Sequence, residues 1–321
     1  MHILVTGTAG FIGFHVAKRL LADGHSVVGV DNLNDYYDAS LKTARLERLR
    51  HGAYRFQQLN LANRSAVDSV FKEQFDRVIH LAAQSGVRWS QNNPHSYVDS
   101  NLVGFANVIE CCRQSDLAHL IYASSSSVYG NLLNQPLDIT MRVDAPVSVY
   151  AATKRANELI AHSYAQQFQL PVTGVRFFTV YGPWGRPDMA YFKFTRQILG
   201  GIPIEVYNAG ELARDFTYID DIVECLSRLT AQAPERTGCP ARIFNAGAGC
   251  PVPLMDFIRE LENALGIIAE KRLMPMQPGD VRSTWANTDA LVHAIGFRPE
   301  TSLKEGIRAF VEWYRTYYCI V

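Results

Sequence analysis

Tyr150 and Lys154 are the residues whose types and spacing are best suited to chemistry. A spacing of four places both side chains on one face of a helix, and apolar residues at helical spacing follow them. A phenol has a pKa of about 10 and is a poor base at neutral pH, but a nearby ammonium favours the phenolate and lowers that pKa. We therefore interpret Tyr150 as a general base and Lys154 as the cation that activates it.

A serine-rich segment, SSSSVYG at residues 124–130, precedes this pair and follows a strand-like run. A serine hydroxyl beside the phenol can donate to the same substrate oxygen and to a developing oxyanion. Tyr and Lys at this spacing also occur by chance in helices without any catalytic role. The functional interpretation therefore depends on the serine segment and on a nucleotide motif further upstream.

That motif is MHILVTGTAGFIG at residues 1–13, where a short apolar run leads into glycines at positions 7, 10 and 13 and then into helical periodicity. A strand that enters a helix through a glycine turn presents backbone N–H groups and the positive helix end to a diphosphate. A second apolar run ends in Asp31, at the distance that suits the ribose hydroxyls of NAD rather than NADP. The alternative is an ordinary strand–helix turn without a ligand.

The elements that must position these residues are predicted from periodicity. Strand-like runs separated by helix-length intervals predict an α/β fold with a Rossmann-type, doubly wound parallel sheet. They occur at residues 27–30, 55–59, 77–81, 119–123 and 172–176.

After about Phe178 the chain becomes rich in aromatic residues, glycine and proline, with a predicted helix at 192–199 and an extended piece at 204–207. We expect residues 1–178 to form the NAD-binding domain and residues 179–321 to form mainly a smaller UDP-sugar-binding domain at the carboxyl edge of the sheet. Residues 215–229 and 243–245 look like returns to the main sheet. The second domain is therefore expected to be interleaved, with returning segments near residues 215–247.

The overall composition excludes several classes of partner. Lys plus Arg and Asp plus Glu both number 31, so no net charge draws the protein toward nucleic acid or an anionic membrane. No apolar run approaches the ~20 residues that span a bilayer, and the first strand leaves no room for a signal peptide. The six cysteines and the histidines lack metal or redox spacing, which predicts a cytoplasmic protein without a metal site.

From end to end the chain resembles the extended short-chain dehydrogenases/reductases and, more narrowly, the UDP-glucuronate 4-epimerases. The segments DNLN, GVR and RFFTVYGPWGRPDM discriminate best, whereas TGTAGFIG and YAATK are generic to the superfamily. The matching segments are TGTAGFIG, DNLNDYYDASLK (31–42), LAAQSGVRWS (81–90), SSSSVYG, YAATK, RFFTVYGPWGRPDM (176–189), RDFTYIDDI (214–222) and QPGDVRSTWAN (277–287).

The resemblance implies an NAD-dependent isomerase that inverts carbon 4 of UDP-glucuronate, giving UDP-galacturonate through a transient 4-keto intermediate. NAD would stay tightly bound and be regenerated in each cycle. A homodimer is implied as well. A ring of hydroxyls would hold the sugar carboxylate in an unreactive orientation, since a 4-keto uronic acid loses carbon dioxide readily.

The residues that the resemblance implies fall into three sets. The catalytic set is Tyr150, Lys154 and Ser125. The cofactor-binding set is Gly7, Gly10, Phe11, Ile12, Gly13, Asp31, Asn32, Asn60, Leu61, Leu81, Ala82 and Ala83, with Tyr150 and Lys154. The substrate-binding set is Ser126, Ser127, Thr179, Arg88, Arg186, Tyr207, Arg214, Asp280 and Arg282.

Two features of these sets bear on specificity. Thr179 stands where galactose-type epimerases carry Asn, and Asn60 stands where the family usually has Asp. Asn60 keeps a donor and an acceptor, so adenine binding is expected to survive with altered affinity.

Two other readings remain open. The same fold could act on UDP-glucose or UDP-N-acetylglucosamine, or decarboxylate UDP-glucuronate. The chain could also be a non-catalytic NAD-binding regulatory protein, although such proteins usually lose the Tyr or the Lys.

Overall fold

The computed structural model describes residues 1–132, 135–277 and 281–320. The strands among them are β1 His2–Thr6, β2 Ser26–Asp31, β3 Tyr54–Gln58, β4 Arg77–His80, β5 Leu120–Ser125, β6 Val172–Phe177, β7 Thr179–Tyr181, β8 Ile204–Tyr207, β9 Ala213–Tyr218, β10 Ala241–Ala246, β11 Pro251–Pro253, β12 Lys271–Met274 and β13 Ser283–Thr284.

The α-helices of the same residues are α1 Phe11–Ala22, α2 Ala39–Glu47, α3 Arg64–Val70, α4 Trp89–Asn92, α5 Pro94–Tyr97, α6 Gly104–Gln114, α7 Val149–Phe168, α8 Ala190–Leu199, α9 Ile219–Ala231, α10 Leu254–Leu265, α11 Asp289–Ile295 and α12 Leu303–Tyr317. A π-helical segment covers Val98–Val103, and 3-10 segments cover Ser126–Tyr129 and Asn208–Gly210.

The large sheet has seven parallel strands in the order β10-β6-β5-β4-β1-β2-β3. The chain starts at β1 in the middle of the sheet, winds to one edge through β3, and then crosses back to build the other half. This order confirms the predicted doubly wound fold, and it gathers the carboxyl ends of β1 and β4 at the point where the winding reverses.

The sheet is covered on both faces, because its central strands are apolar on both sides. One apolar core joins the sheet to α1 and α9, and another joins it to α3, α6 and α7. Residues 241–246 extend this large sheet, as expected. The expectation that the segment beginning at residue 215 returns to the same sheet is wrong for its strand, because residues 213–218 form their hydrogen bonds with β7, β11 and β13 in a smaller sheet.

The C-terminal region has its own core, where α8, α10 and α12 pack around β8. The apolar face of α8 explains this packing, since Tyr191, Phe192 and Phe194 are buried. The opposite face of α8 is left with polar residues. None of the helices within the described residues combines the length and the apolar character that crossing a bilayer requires.

Candidate active site

A cavity of about 780 Å³ lies between the carboxyl ends of the large sheet's strands and the C-terminal region. The segments that follow β1, β2, β3 and β4 form one wall of the cavity, together with the ends of β5 and β6. Helix α8 and strands β8 and β9 form the opposite wall. The cavity brings together every predicted site residue that the structure describes, with the exception of Arg282.

Helix α7 carries the predicted catalytic pair. The Ser148 side chain caps its first turn and accepts a hydrogen bond from the Ala151 amide at 3.1 Å, which fixes the point where the helix begins. Tyr150 and Lys154 then line the cavity one turn apart. The predicted face of the helix is the one that the structure presents to the site.

Several groups around the Tyr150 phenol act on its pKa. Burial raises the pKa of Tyr150, while the Ser125 hydroxyl and the positive charge of Arg186 act in the opposite direction. Lys154 is nearly fully buried; burial lowers its pKa to about 8, and its Nζ donates to the Ala123 carbonyl at 2.9 Å. In this structure the cation that opposes the rise in the phenol pKa is therefore Arg186, from a loop distant in sequence.

A hydroxyl cluster lies at the end of β5. Ser125 Oγ is 3.1 Å from Ser127 Oγ and accepts from the Ser127 amide at 3.2 Å, which starts the 3-10 turn. Ser126, Ser127 and Thr179 line the same cavity as Tyr150. Hydroxyls both donate and accept, so this cluster can bind a carboxylate through several modest hydrogen bonds.

A buried polar network holds the serine segment on helix α7. Ser124 and Arg176 are direct partners across β5 and β6, and the Ser124 hydroxyl donates to Glu158 at 2.6 Å. Glu158 also binds Arg176, whose Nη1 donates to the Tyr129 hydroxyl at 3.0 Å. Glu158 lies one turn beyond Lys154, so one helix row carries the base, the cation and this anchor.

Arg186 belongs to a second charged group that lines the cavity, and its positive charge acts on Tyr150. Its Nε and Nη2 bind Asp188 at 3.0 and 2.5 Å, and the Tyr36 hydroxyl donates to the same carboxylate at 3.2 Å. All three side chains line the cavity. This group connects the segment after β2 with the loop after β7.

The glycine turn has the geometry that a dinucleotide needs. Gly7 has a φ of +76°, and a Cβ on it would lie 2.8 Å from the Ala82 amide nitrogen. A Cβ on Gly13 would clash with the Gly7 carbonyl oxygen. Only glycine fits at either position, because one requires left-handed backbone and the other a very close strand–helix approach.

Helix α1 begins at this turn without a side-chain cap on Gly10. The first intrahelical hydrogen bond is donated by the Phe14 amide to the Gly10 carbonyl at 3.1 Å. The amides of Phe11, Ile12 and Gly13 are therefore first-turn donors at the positive end of the helix dipole. Their placement in the cavity wall fits the diphosphate of a dinucleotide.

Asp31 ends β2 beside this turn. Its Oδ2 accepts from the Ala9 amide at 3.2 Å and its Oδ1 from the Leu33 amide at 2.9 Å. The carboxylate thus orders the two loops between which an adenosine ribose would lie. The remaining predicted cofactor residues line the same wall, namely Asn32, Asn60, Leu61, Leu81, Ala82 and Ala83.

The far end of the cavity contains Tyr207, Arg88 and Arg214. The Arg88 guanidinium lies 5.4 Å from the centre of the Tyr207 ring, which joins the segment after β4 to the end of β8. Arg214 Nη1 donates to the carbonyls of Ala213 and Arg282 at 2.9 and 3.1 Å. The Arg282 side chain is exposed and does not line the cavity, and Asp280 lies outside the described residues.

Several lining residues were not found from the sequence. Lys193, Arg196 and Gln197 come from the polar face of α8, and the burial periodicity of that helix could have revealed them. Asn101 does not line the cavity itself, but it supports the segment beside it and gave no comparable signal. It lies in the π-helical segment, where its side chain bonds the Gln84 backbone and the Thr153 hydroxyl. A π-helical turn at such a position is common near functional sites.

Comparisons with known proteins agree with this geometry. Residues 3–247 match the NAD dependent epimerase/dehydratase family. The chain is 50% identical to Protein CapI of Staphylococcus aureus, over 99% of each protein. It is 46% identical to UDP-glucuronate 4-epimerase 4 of Arabidopsis thaliana, over 98% of this chain and 76% of that protein.

Among solved structures, UDP-glucuronic acid 4-epimerase from Bacillus cereus, in complex with UDP-glucuronic acid and NAD, superposes with a TM-score of 0.93. The two sequences are 32% identical, and the match covers 99% of this chain and 100% of the other. The chain belongs to the NAD dependent epimerase/dehydratase family.

Proposed function

We propose that this protein is an NAD-dependent isomerase that interconverts UDP-glucuronate and UDP-galacturonate by inverting carbon 4 of the sugar. The observation that carries the proposal is the hydroxyl cluster of Ser126, Ser127 and Thr179 in the same cavity as Tyr150. A neutral hydroxymethyl group does not need several donors, whereas a sugar carboxylate does. The relative named UDP-glucuronate 4-epimerase 4 and the Bacillus cereus complex support the same substrate.

The cofactor site supports NAD. Gly7, Gly10 and the first turn of α1 would hold the diphosphate, and Asp31 would bind the adenosine ribose. When bound, NAD would accept a hydride from carbon 4 and return it to the opposite face of that carbon, so that no net oxidation occurs.

The protein's own part in the reaction is proton movement and orientation. Tyr150 takes the proton of the sugar 4-hydroxyl and gives it back, while Ser125 donates to the same oxygen. Lys154, held by the Ala123 carbonyl, keeps a positive charge one turn behind the phenol. The serine cluster and Thr179 hold the carboxylate away from the orientation that releases carbon dioxide.

The remaining substrate contacts are also proposals. Arg214 and Tyr207 would hold the UDP half, and Arg88 and Arg186 would border the sugar half; all four residues line the cavity. Arg282 stays a proposed ligand of the nucleotide because its backbone carbonyl accepts a hydrogen bond from Arg214. Asp280 stays a proposed ligand on the family resemblance alone.

One experiment separates the open readings. The purified protein is incubated with UDP-glucuronate without added NAD, and proton NMR follows the sugar. We expect UDP-galacturonate to form until the two sugars reach a near-balanced mixture. A pentose product would indicate a decarboxylase, turnover of UDP-glucose alone would indicate a neutral-sugar epimerase, and bound NAD without turnover would indicate a regulatory protein.

We further propose that the protein is a homodimer. Leu159 on α7 is 55% exposed, and Val98 and Val103 on the adjoining π-helical segment are 41% and 40% exposed. This apolar face would be covered by the same face of a second copy across a two-fold axis. Light scattering should give twice the chain mass, and Leu159→Glu should give a monomer; a monomeric native protein would refute the dimer.

The domain division and the location are also proposed. Residues 1–178 with returning segments near 215–247 would bind NAD, and the rest of 179–321 would bind mainly the UDP-sugar. All six cysteines are free thiols, which fits a reducing cytoplasm. Cell fractionation tests the location, and recovery of the protein outside the cytoplasmic fraction would contradict it.

A further inference from the structure

Arg45 on helix α2 is fully buried and has no acidic partner. Its exposed fraction is 0%, and no carboxylate within the described ranges forms an ion pair with it. A buried guanidinium normally needs a counter-charge, because removing it from water is costly. Packing alone therefore does not explain why an arginine is buried at this position.

The guanidinium uses four of its five donors to join three separate segments. Nη1 donates to the Ala9 carbonyl at 2.8 Å and to the Tyr37 hydroxyl at 2.7 Å. Nη2 donates to the carbonyls of Trp184 and Gly185 at 2.6 and 3.1 Å. The planar fork of Arg can make such divergent contacts, whereas a lysine ammonium is a point charge.

The first of these segments is the glycine turn. The Ala9 peptide is fixed on both sides, because its amide donates to Asp31 and its carbonyl accepts from Arg45. The same turn presents the first amides of α1 toward the cofactor diphosphate. Arg45 thus lies directly behind the cofactor's anion site.

Tyr37 represents the second segment, and the third is the loop at residues 182–188, which we call the sugar loop because it carries Arg186 and Asp188. Three consecutive backbone carbonyls of this loop accept hydrogen bonds from side chains of the first 178 residues. His15 Nε2 lies 3.0 Å from the Pro183 oxygen, and Arg45 donates to the carbonyls of Trp184 and Gly185. Trp184 has a φ of +62°, a left-handed backbone that a non-glycine residue adopts only when held.

We propose that Arg45 is a positioning residue that couples the dinucleotide turn to the sugar loop, so that a diphosphate bound at the turn strengthens binding of the sugar half of the UDP-sugar. An anion at the turn would offset the cost of the buried cation and stabilise the fork in its bridging geometry. By thermodynamic linkage, a bound sugar would in turn hold the dinucleotide more tightly. This inference rests on the proposed function.

The test uses NAD-loaded protein with Tyr150→Phe, which blocks turnover. Arg45→Met removes the charge and the donors, and Arg45→Lys keeps only the charge. Arg48→Met is the matched control, because the exposed Arg48 guanidinium lies 4.2 Å from the Trp184 ring centre but donates to no carbonyl of the sugar loop. Calorimetry measures the affinity for UDP-glucuronate and for UDP, and release of labelled NAD is timed with and without UDP-glucuronate.

We expect both Arg45 variants to weaken UDP-glucuronate binding about tenfold while UDP binding changes less than about twofold, since UDP lacks the sugar half. In the parent protein UDP-glucuronate should slow NAD release, and in the Arg45 variants this slowing should be lost. Arg45→Lys should keep NAD itself, and Arg48→Met should behave like the parent.

Equal effects on UDP and UDP-glucuronate, or an unchanged slowing of NAD release in Arg45→Lys, would overturn the coupling. If Arg45→Met fails to fold, the binding and NAD-release measurements on Arg45→Lys test the coupling. Absence of slowing in the parent would overturn the coupling without any variant. A parent protein that binds UDP but not UDP-glucuronate would instead contradict the proposed function, so the two failures are distinguishable.

Discussion

Arg176 and Glu158 form a buried, two-pronged ion pair directly beneath the serine segment. Arg176 Nε lies 2.8 Å from Glu158 Oε1, and Nη2 lies 2.9 Å from Oε2. The side chains are 2% and 0% exposed. The pair joins β6 to the helix that carries Tyr150 and Lys154, so the catalytic helix cannot shift along the sheet without breaking it.

Glu158→Gln should therefore be strongly destabilising. It leaves the Arg176 guanidinium buried without its counter-charge, which costs about 3–5 kcal/mol of the free energy of unfolding. Arg155→Met is the control, because Arg155 binds the same carboxylate at 3.1 Å but is 25% exposed, and such a pair contributes about 1 kcal/mol or less. Denaturant titration of both variants measures the free energy of unfolding. An equal decrease in the two variants would contradict the anchoring role of the Arg176–Glu158 pair.

The same pair predicts the acid dependence of stability. Burial raises the pKa of Glu158, but the hydrogen bonds and charge of Arg176 outweigh it, and the net pKa is below the ordinary 4.5. A lowered folded-state pKa contributes stability that is present above the unfolded value and is lost as pH falls through the folded value. We therefore measure the free energy of unfolding from pH 6 down to about pH 3. It should fall more steeply with decreasing pH in the native protein than in Glu158→Gln.

Tyr150→Phe should abolish turnover without releasing the cofactor. The change removes only the hydroxyl that moves the proton, and the glycine turn and Asp31 are untouched. We expect epimerisation to fall by roughly a hundredfold or more, with NAD content and UDP affinity preserved. NMR of the sugar and absorbance of the released cofactor measure these, and retained activity would refute the role of the phenol.

The pH profile of turnover should depend on Arg186. Burial raises the pKa of Tyr150, and Arg186 opposes that rise. A general base must be deprotonated to act, so kcat should rise with increasing pH. Arg186→Met should shift the midpoint of this rise to higher pH. Arg186→Lys keeps the charge and should move it less. Profiles of kcat in the three proteins test this; a shift to lower pH in Arg186→Met would show that another group sets the phenol pKa.

Thr179→Val should impair recognition of the carboxylate. The substitution keeps the shape and removes one donor, and a hydrogen bond to a charged group contributes about 1.5–3 kcal/mol. We expect KM for UDP-glucuronate to rise at least tenfold and some pentose product to appear. Thr179→Ser keeps a hydroxyl and is the control. Unchanged KM and product pattern in Thr179→Val would remove Thr179 from the carboxylate site.

Gly13→Ala should disrupt the dinucleotide turn. An added Cβ would meet the Gly7 carbonyl oxygen, and that backbone cannot move without opening the turn. We expect loss of bound NAD and a lower melting temperature. Gly52→Ala is the control, since nothing lies within 4 Å of a Cβ there. Full NAD content in purified Gly13→Ala would contradict the close approach.

The large sheet was predictable because its signals are local. Apolar runs separated by helix-length intervals specify a parallel sheet, and glycine spacing specifies the first turn. The predicted run at 204–207 coincides with β8, and the other predicted strands differ from the observed ones by one or two residues at their ends. End residues depend on hydrogen-bond partners in neighbouring strands, which periodicity does not contain.

The rest of the site depends on contacts between segments far apart in the chain. Arg45 meets Trp184 across 139 positions, and neither residue belongs to a chemical motif on its own. The expectation that Lys154 lowers the pKa of the phenol followed from helix spacing, the neighbouring motifs and the family resemblance, and it stays a prediction. Spacing places a side chain on a face, but it does not show that the Ala123 carbonyl takes one of its protons or that Arg186 arrives from another loop.

Tyr150, Lys154 and Glu158 occupy successive turns of one helix, and this has a consequence for how such a protein can change. The distances among the reacting group, its neighbouring cation and the sheet anchor are set by the pitch of α7, so none of them depends on loop length. Cavity loops other than the sugar loop, which carries Arg186, can therefore be exchanged or lengthened to accommodate a different sugar while Tyr150, Lys154 and Glu158 keep their relative positions. A single-residue insertion within that stretch of helix would have the opposite effect, turning the phenol away from its partners by about 100°.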